Sequence, residues 1–198
     1  MKESIFKQFE KPTGLRGRLA GHFMALNNIK RSDWTIDKLN FKPTDKILEI
    51  GYGPGITLKM IAEQLTTGSI TGIDHSEVMC RQAIKRNEEN IKNNKAEIMC
   101  GTVHEFNYPE NHFDIIFGSN VHFFWKEPVK EFKILYKLLN DNGRLVFVFQ
   151  PRYLKSNNDI ALESGKTKSQ FMEADFKNIE IEVKHMKPID CIYIRGNK

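Results

Sequence analysis

The sequence predicts an α/β fold: a doubly wound, mostly parallel seven-stranded sheet with helices on both faces, an antiparallel C-terminal hairpin and an N-terminal helical cap. Three observations predict it. From residue 46 onward, short apolar runs alternate with amphipathic stretches, as in successive βαβ units. A glycine-rich turn follows the first apolar run, in ILEIGYGPGITL. Near the C-terminus the pattern changes to simple alternation, as in paired antiparallel strands.

Each element follows from its own pattern. KILEIG reads as the first strand, and residues 55–66 as a helix with Ile56, Met60, Ile61 and Leu65 on one face. SITGID is the second strand. SEVMCRQAIKRNEENIKNN reads as one long helix with Ser76 as its N-cap. AEIMC is a short third strand. FDIIFGS, nearly all apolar, suits a fourth strand buried on both faces. KEPVKEFKILYKLLN is an amphipathic helix ending near Asn140-Asp141-Asn142-Gly143, and RLVFVFQ is the fifth strand. After Pro151 a polar loop leads into a helix ending near Asp175. KNIEIEVKHM and DCIYIRG then form a hairpin with Lys187-Pro188 near its turn. Before the sheet, GLRGRLAGHFMALNN has apolar residues at near-helical spacing, and SDWTIDKLN reads as a short capped helix. The whole chain, 1–198, is expected to form one domain, with 1–42 as a cap or lid and 43–198 as the core.

Composition narrows the setting. The chain has 198 residues, of which 40% are hydrophobic and 28% charged, which suits a core of ordinary size. No apolar run approaches the ~18–20 residues of a membrane span, and the opening residues lack the apolar centre of a secretory signal. Three widely spaced cysteines, Cys80, Cys100 and Cys191, imply no disulfide framework, so a reducing cytoplasm is expected. Cys100 with His104 and His112 fits no metal-ligand spacing, and no metal is expected. Residues 1–42 hold nine Lys/Arg against four Asp/Glu, and the remainder balances, so the net charge of +5 sits wholly in that segment. Such a basic surface either steers an anionic partner or is a solvated face.

The glycine turn narrows the chemistry. A dinucleotide fingerprint starting at Gly51 needs a glycine where Ile56 stands, which disfavours a nicotinamide-dependent oxidoreductase. No Lys-Ser/Thr pair closes the turn, so it is not a P-loop, and Glu49 just before it would repel a pyrophosphate. The stretch resembles the first motif of the class I S-adenosylmethionine-dependent methyltransferases, whose ligand carries a sulfonium, an amine and a carboxylate but no phosphate. That resemblance covers residues 41–150 and implies a Rossmann-like fold, S-adenosylmethionine as cofactor, and cofactor contacts from Glu49, Gly51, Tyr52, Gly53 and Gly55.

Further residues extend the resemblance. Asp74 ends the second strand, where a carboxylate can accept two ribose hydroxyls. His75 and Met79 flank the implied adenine position, although Met79 could equally belong to the core. The family's Gly-Asp pair after strand three is here Gly101-Thr102-Val103. Thr102 departs from it but retains a hydroxyl acceptor, and the Val103 amide could serve the adenine ring. Ser119-Asn120-Val121-His122 follows strand four, with Asn120 among the implied cofactor contacts. Base-amine methyltransferases carry Asn/Asp-Pro-Pro-aromatic at that place, so the segment is more similar to the ubiquinone/menaquinone-biosynthesis type.

Methyl transfer needs an aligned nucleophile, excluded water and, for some acceptors, a base. His122 is the candidate base, or else a satisfied structural histidine. Arg16, His22 and Trp125 are candidate substrate contacts, with Phe123 and Phe124 either an apolar wall or packing. The expected function is methyl transfer to a small molecule. RNA methylation and a catalytically inactive cofactor-binding partner are the alternatives.

Overall fold

A computed structural model of the protein describes residues 31–150, 156–186 and 189–198. Arg16, His22 and the expected cap before residue 31 lie outside them, as does the Lys187-Pro188 turn. The chain divides into two compact units, the first ending at Asn107 and the second running from Tyr108 to Lys198.

In the first unit, residues 31–39 form helix α1, where the sequence places its short helix. Strand β1 (Lys46–Ile50) leads through the glycine turn to α2 (Ile56–Ala62), then β2 (Ser69–Asp74), α3 (Glu77–Arg86), α4 (Glu88–Lys92) and β3 (Ala96–Cys100). The strands lie in the order β3-β2-β1, all parallel, with Glu49 beside Gly72 and Asp74 beside Cys100. Leu48, Leu58, Ile61 and Ile70 are fully buried between sheet and helices. Ser32 and Thr57 share a 2.9 Å hydroxyl hydrogen bond that ties α1 to α2.

The second unit contains β4 (Phe113–Ser119), a 3₁₀ turn at His122–Phe124, α5 (Pro128–Leu138), β5 (Leu139–Phe149), α6 (Asn157–Glu173), β6 (Lys177–Lys184) and β7 (Cys191–Asn197). β4 and β5 are parallel, while β7 pairs antiparallel with both β5 and β6, giving the order β4-β5-β7-β6. The core is aromatic: Phe132, Phe147, Phe149 and Phe171 are completely buried. β6 carries Lys177, Glu180, Glu182 and Lys184 along the outermost position, charges that suit an unpaired edge. The fold class is the expected one, a seven-stranded mixed α/β sheet with antiparallel strands at its C-terminal end.

Three local expectations are corrected. The single long helix after Ser76 is two, broken at Asn87 (φ −106°, ψ 14°). Asn87 turns its amide back onto the chain, donating to the Ala83 carbonyl at 3.0 Å and the Gly55 carbonyl at 3.1 Å. Second, β5 starts at Leu139, and Asn140–Gly143 form an excursion in its register, because Phe113 pairs with Leu139 but Ile115 with Arg144. Third, Cys80 and Cys100 form a disulfide. Their separation in sequence hides a 5.8 Å Cα–Cα approach, created when β3 pairs with β2 and α3 folds back from the end of β2. Cys191 is free and buried.

Candidate functional site

The glycine turn is built by backbone conformations that side chains resist. Gly51, Gly53 and Gly55 have φ of 73°, 55° and 74°. Their shared left-handed geometry turns the chain out of β1, fixed by Gly51 N–H donating to the Ile73 carbonyl (2.8 Å) and Gly55 N–H to the Tyr52 carbonyl (3.0 Å). Gly55 has a second reason: a Cβ there would lie 2.8 Å from the Ala83 Cβ. At Gly53 a Cβ would meet nothing within 4 Å among the described residues, so with respect to them the turn faces open space at its middle.

Two carboxylates sit beneath it. Asp74 accepts from Gly53 N–H at 2.8 Å through Oδ2 and from Ser76 N–H at 2.9 Å through Oδ1. Each oxygen retains a further lone pair for a ligand hydroxyl. Burial holds the Asp74 carboxyl above its ordinary range, against the lowering by these two amides. Glu49 is 2% exposed, and burial, then the charge of Asp74, pushes its carboxyl up to about 8. Its Oε2 has no hydrogen-bond partner among the described residues. A buried acid with a bare oxygen calls for a donor, and a cationic amine would satisfy both its charge and its lone pair.

The expected site residues divide sharply. Glu49, Gly51, Gly53, Asp74 and Gly101 come together, with Gly101 N–H donating to the Asp74 carbonyl at 2.9 Å. His75 is exposed beside them. Thr102 is exposed and starts the 3₁₀ turn Val103–Glu105, its N–H held by the Glu105 carboxylate. The Tyr52 side chain turns inward: it is 4% exposed, and its hydroxyl lies 3.0 Å from both the Cys80 sulfur and the Met99 carbonyl as donor. Only its backbone remains for a ligand. Met79 is 1% exposed, among the buried residues of α3.

Sequence reasoning missed two supports of the turn. Asn87 holds the Gly55 carbonyl, and the Arg86 guanidinium donates to the Pro54 carbonyl. The available signal was an asparagine inside an otherwise helical run.

The second unit holds the remaining candidates. Asn120 follows β4 in a left-handed conformation (φ 55°). Its N–H donates to the Val148 carbonyl, and its Oδ1 accepts from Gln150 N–H at 2.7 Å. His122 does not have the surroundings of a catalytic base. It is 2% exposed and packed against the rings of Phe123, Phe132, Phe147 and Phe149 at 4.5–6.4 Å between centroids. Burial, with a smaller effect from Lys166, lowers its pKa to about 3, so the imidazole is neutral at physiological pH. Trp125 is half-buried edge-on to Phe132 and Phe147, a packing position.

The comparisons agree with this geometry. A family model described as a methyltransferase domain matches residues 47–143. The methyltransferase YdaC of Bacillus subtilis is 29% identical over 86% of this chain and 92% of its own length. Among solved structures, an S-adenosylmethionine-dependent methyltransferase from Aquifex aeolicus superposes with a TM-score of 0.65 at 16% identity, covering 84% of this chain and 88% of that one. Phosphoethanolamine N-methyltransferase 2 of Haemonchus contortus, in complex with phosphomonomethylethanolamine and S-adenosylhomocysteine, gives 0.68 at 15% identity over 86% of this chain and 53% of that one. Residues 47–143 are thus similar to a methyltransferase domain, and the fold is one shared with S-adenosylmethionine-dependent methyltransferases. Of those two structures, the second holds S-adenosylhomocysteine and the first depends on the cofactor S-adenosylmethionine. The residues present fit that cofactor: a bare buried carboxylate oxygen for the amine, a left-handed glycine cradle, and a strand-end aspartate for the ribose.

Proposed function

We propose that this chain is an S-adenosylmethionine-dependent methyltransferase that acts on a small-molecule acceptor by in-line displacement, working as a single domain in the cytoplasm. Glu49 and the backbone of Gly51–Gly55 hold the methionine end of the cofactor, and Asp74 accepts from the ribose. The Gly101-Thr102-Val103 stretch, with Thr102 exposed, lies against the adenine. The bound cofactor supplies a methyl group already activated by the sulfonium, and the chain's own residues align it and exclude water.

The observation that carries the small-molecule reading is Asn120. Its carboxamide oxygen holds Gln150 N–H at 2.7 Å, so it is engaged inside the chain rather than presented to the exocyclic amine of a base. The stretch also lacks the prolines that follow such an Asn in base-amine enzymes. Among the described residues no helix is long and apolar enough to cross a membrane. With His122 neutral and enclosed in aromatic packing, the transfer relies on alignment, or on a base brought by the acceptor's surroundings.

The test is methyl transfer from labelled S-adenosylmethionine to pooled small metabolites, with total RNA and protein as parallel acceptors. Label in a small-molecule fraction is the expected result. Label confined to RNA, with binding that falls steeply as salt rises, would replace this reading with RNA methylation.

A further inference from the structure

The Cys80–Cys100 pair lies where the proposed adenosine end of the pocket is anchored. Cys100 is the last residue of β3, directly before Gly101-Thr102-Val103, and it is exposed. Cys80 is 3% exposed in the first half of α3, with its sulfur 3.4 Å from the Asp74 carbonyl oxygen. Asp74 pairs in register with Cys100, and Gly101 N–H donates to the same Asp74 carbonyl. Tyr52, within the glycine turn, directs its hydroxyl at the Cys80 sulfur and at the carbonyl of Met99, the residue before Cys100. The two sulfurs therefore join the three segments that surround Asp74: the turn, the start of α3 and the end of β3.

We propose that Cys80 and Cys100 form a reversible thiol–disulfide site, open to low-molecular-weight disulfides such as glutathione disulfide, that sets cofactor affinity by locking the 101–103 stretch to α3. This rests on the cofactor reading above. The exposed Cys100 thiolate attacks one sulfur of glutathione disulfide, forming a mixed disulfide and releasing one glutathione thiolate. The Cys80 thiolate then attacks the Cys100 sulfur, forming the Cys80–Cys100 bond and releasing the second glutathione. The protein loses two protons and two electrons, and glutathione disulfide becomes two glutathione thiols. A dithiol reverses both steps. The exposed partner reacts first and the buried partner resolves, an order that follows from their unequal access.

In the bridged state the adenosine end is preorganised, and less ordering remains to be done on binding. Reduction removes the covalent tie between the end of β3 and α3, and leaves the Tyr52 contacts to Cys80 and Met99 among the remaining links.

The experiment equilibrates the full chain with glutathione disulfide or with dithiothreitol, maps alkylated cysteines by mass spectrometry, and titrates S-adenosylhomocysteine calorimetrically in each state. The oxidised chain is expected to show Cys80 and Cys100 protected from alkylation and to bind about fivefold to tenfold tighter than the reduced chain. Cys100→Ser should bind like the reduced protein in both buffers. Affinities agreeing within about twofold between the mapped states, or Cys80 and Cys100 both still alkylated after oxidation, would overturn the switch. Binding in neither state would overturn the cofactor reading, and the switch with it.

Discussion

Glu49 and His122 invite comparison because each is a buried titratable side chain with an unpartnered atom, one in each unit. Glu49 Oε2 and His122 Nδ1 both lack hydrogen-bond partners among the described residues. Both are only 2% exposed. Their surroundings separate them. Glu49 stands next to three left-handed glycines, open space at Gly53 and a second carboxylate that worsens its burial. His122 stands among closely packed rings in ordinary packing, with Thr167 Oγ1 at 3.5 Å from its Nε2. An orphaned polar atom thus points to a ligand when the adjacent backbone is specialised and the adjacent space is empty. Within an aromatic core it is a neutral group tolerated by packing.

The largest expected effect tests the specialised backbone. Gly55→Ala should cost about 2–4 kcal/mol of stability, combining left-handed strain with overpacking against Ala83. Chemical denaturation measures it, and a loss under about 0.5 kcal/mol would mean the turn is not tightly constrained. Next, Asp74→Ala should weaken S-adenosylhomocysteine binding by about 1–3 kcal/mol. Unchanged affinity by calorimetry would remove Asp74 from the site.

The two buried groups should also give opposite pH responses. Folded Glu49 keeps its proton to about pH 8, whereas an ordinary glutamate releases it near 4.5. Between these values the folded state binds more protons, so this group's contribution to stability falls as pH rises. Glu49→Gln should flatten that decline in thermal melts of the ligand-free protein, yet weaken S-adenosylhomocysteine binding about tenfold, because an amide cannot pair with the amine's charge. A variant that binds as well as the parent would break the contrast. His122 works the other way: unfolded histidine takes up a proton near pH 6.5 and the folded one near 3. Its contribution to stability is lost as pH falls through that window. His122→Phe should remove this acid sensitivity, change neutral-pH stability by less than about 1.5 kcal/mol, and leave cofactor binding unaltered. Loss of binding would restore His122 to the site.

The sequence made the strands, the glycine turn and Asp74 legible because their signals are local. Alternation, a short apolar run and closely spaced glycines each reflect one segment's own geometry. Tyr52 and Met79 were harder to place, since whether a side chain lines a pocket or the core depends on which neighbour packs beneath it. The neighbours of Tyr52, namely Cys80, Gly72 and the end of β3, arrive from distant parts of the chain. The Cys80–Cys100 approach was invisible for the same reason. His122 looked available because it follows strand four, but four phenylalanines, three of them beyond residue 130, enclose it. The break at Asn87 was obscured because its helical flanks outvoted one residue whose side chain bonds backward.

That asparagine also divides the helical segment into a part that must keep its length and a part that need not. Up to Asn87, α3 is in fixed phase with the turn, because one amide reads both the Ala83 and Gly55 carbonyls. Beyond it, α4 carries exposed Glu88, Glu89 and Lys92, none of which bonds the turn in this way. A residue inserted between Met79 and Asn87 would rotate the amide by about 100° away from Gly55, whereas one inserted after Lys92 would be absorbed at the surface. The segment is an indexed shaft followed by a free end, and Asn87 is the key that sets the index.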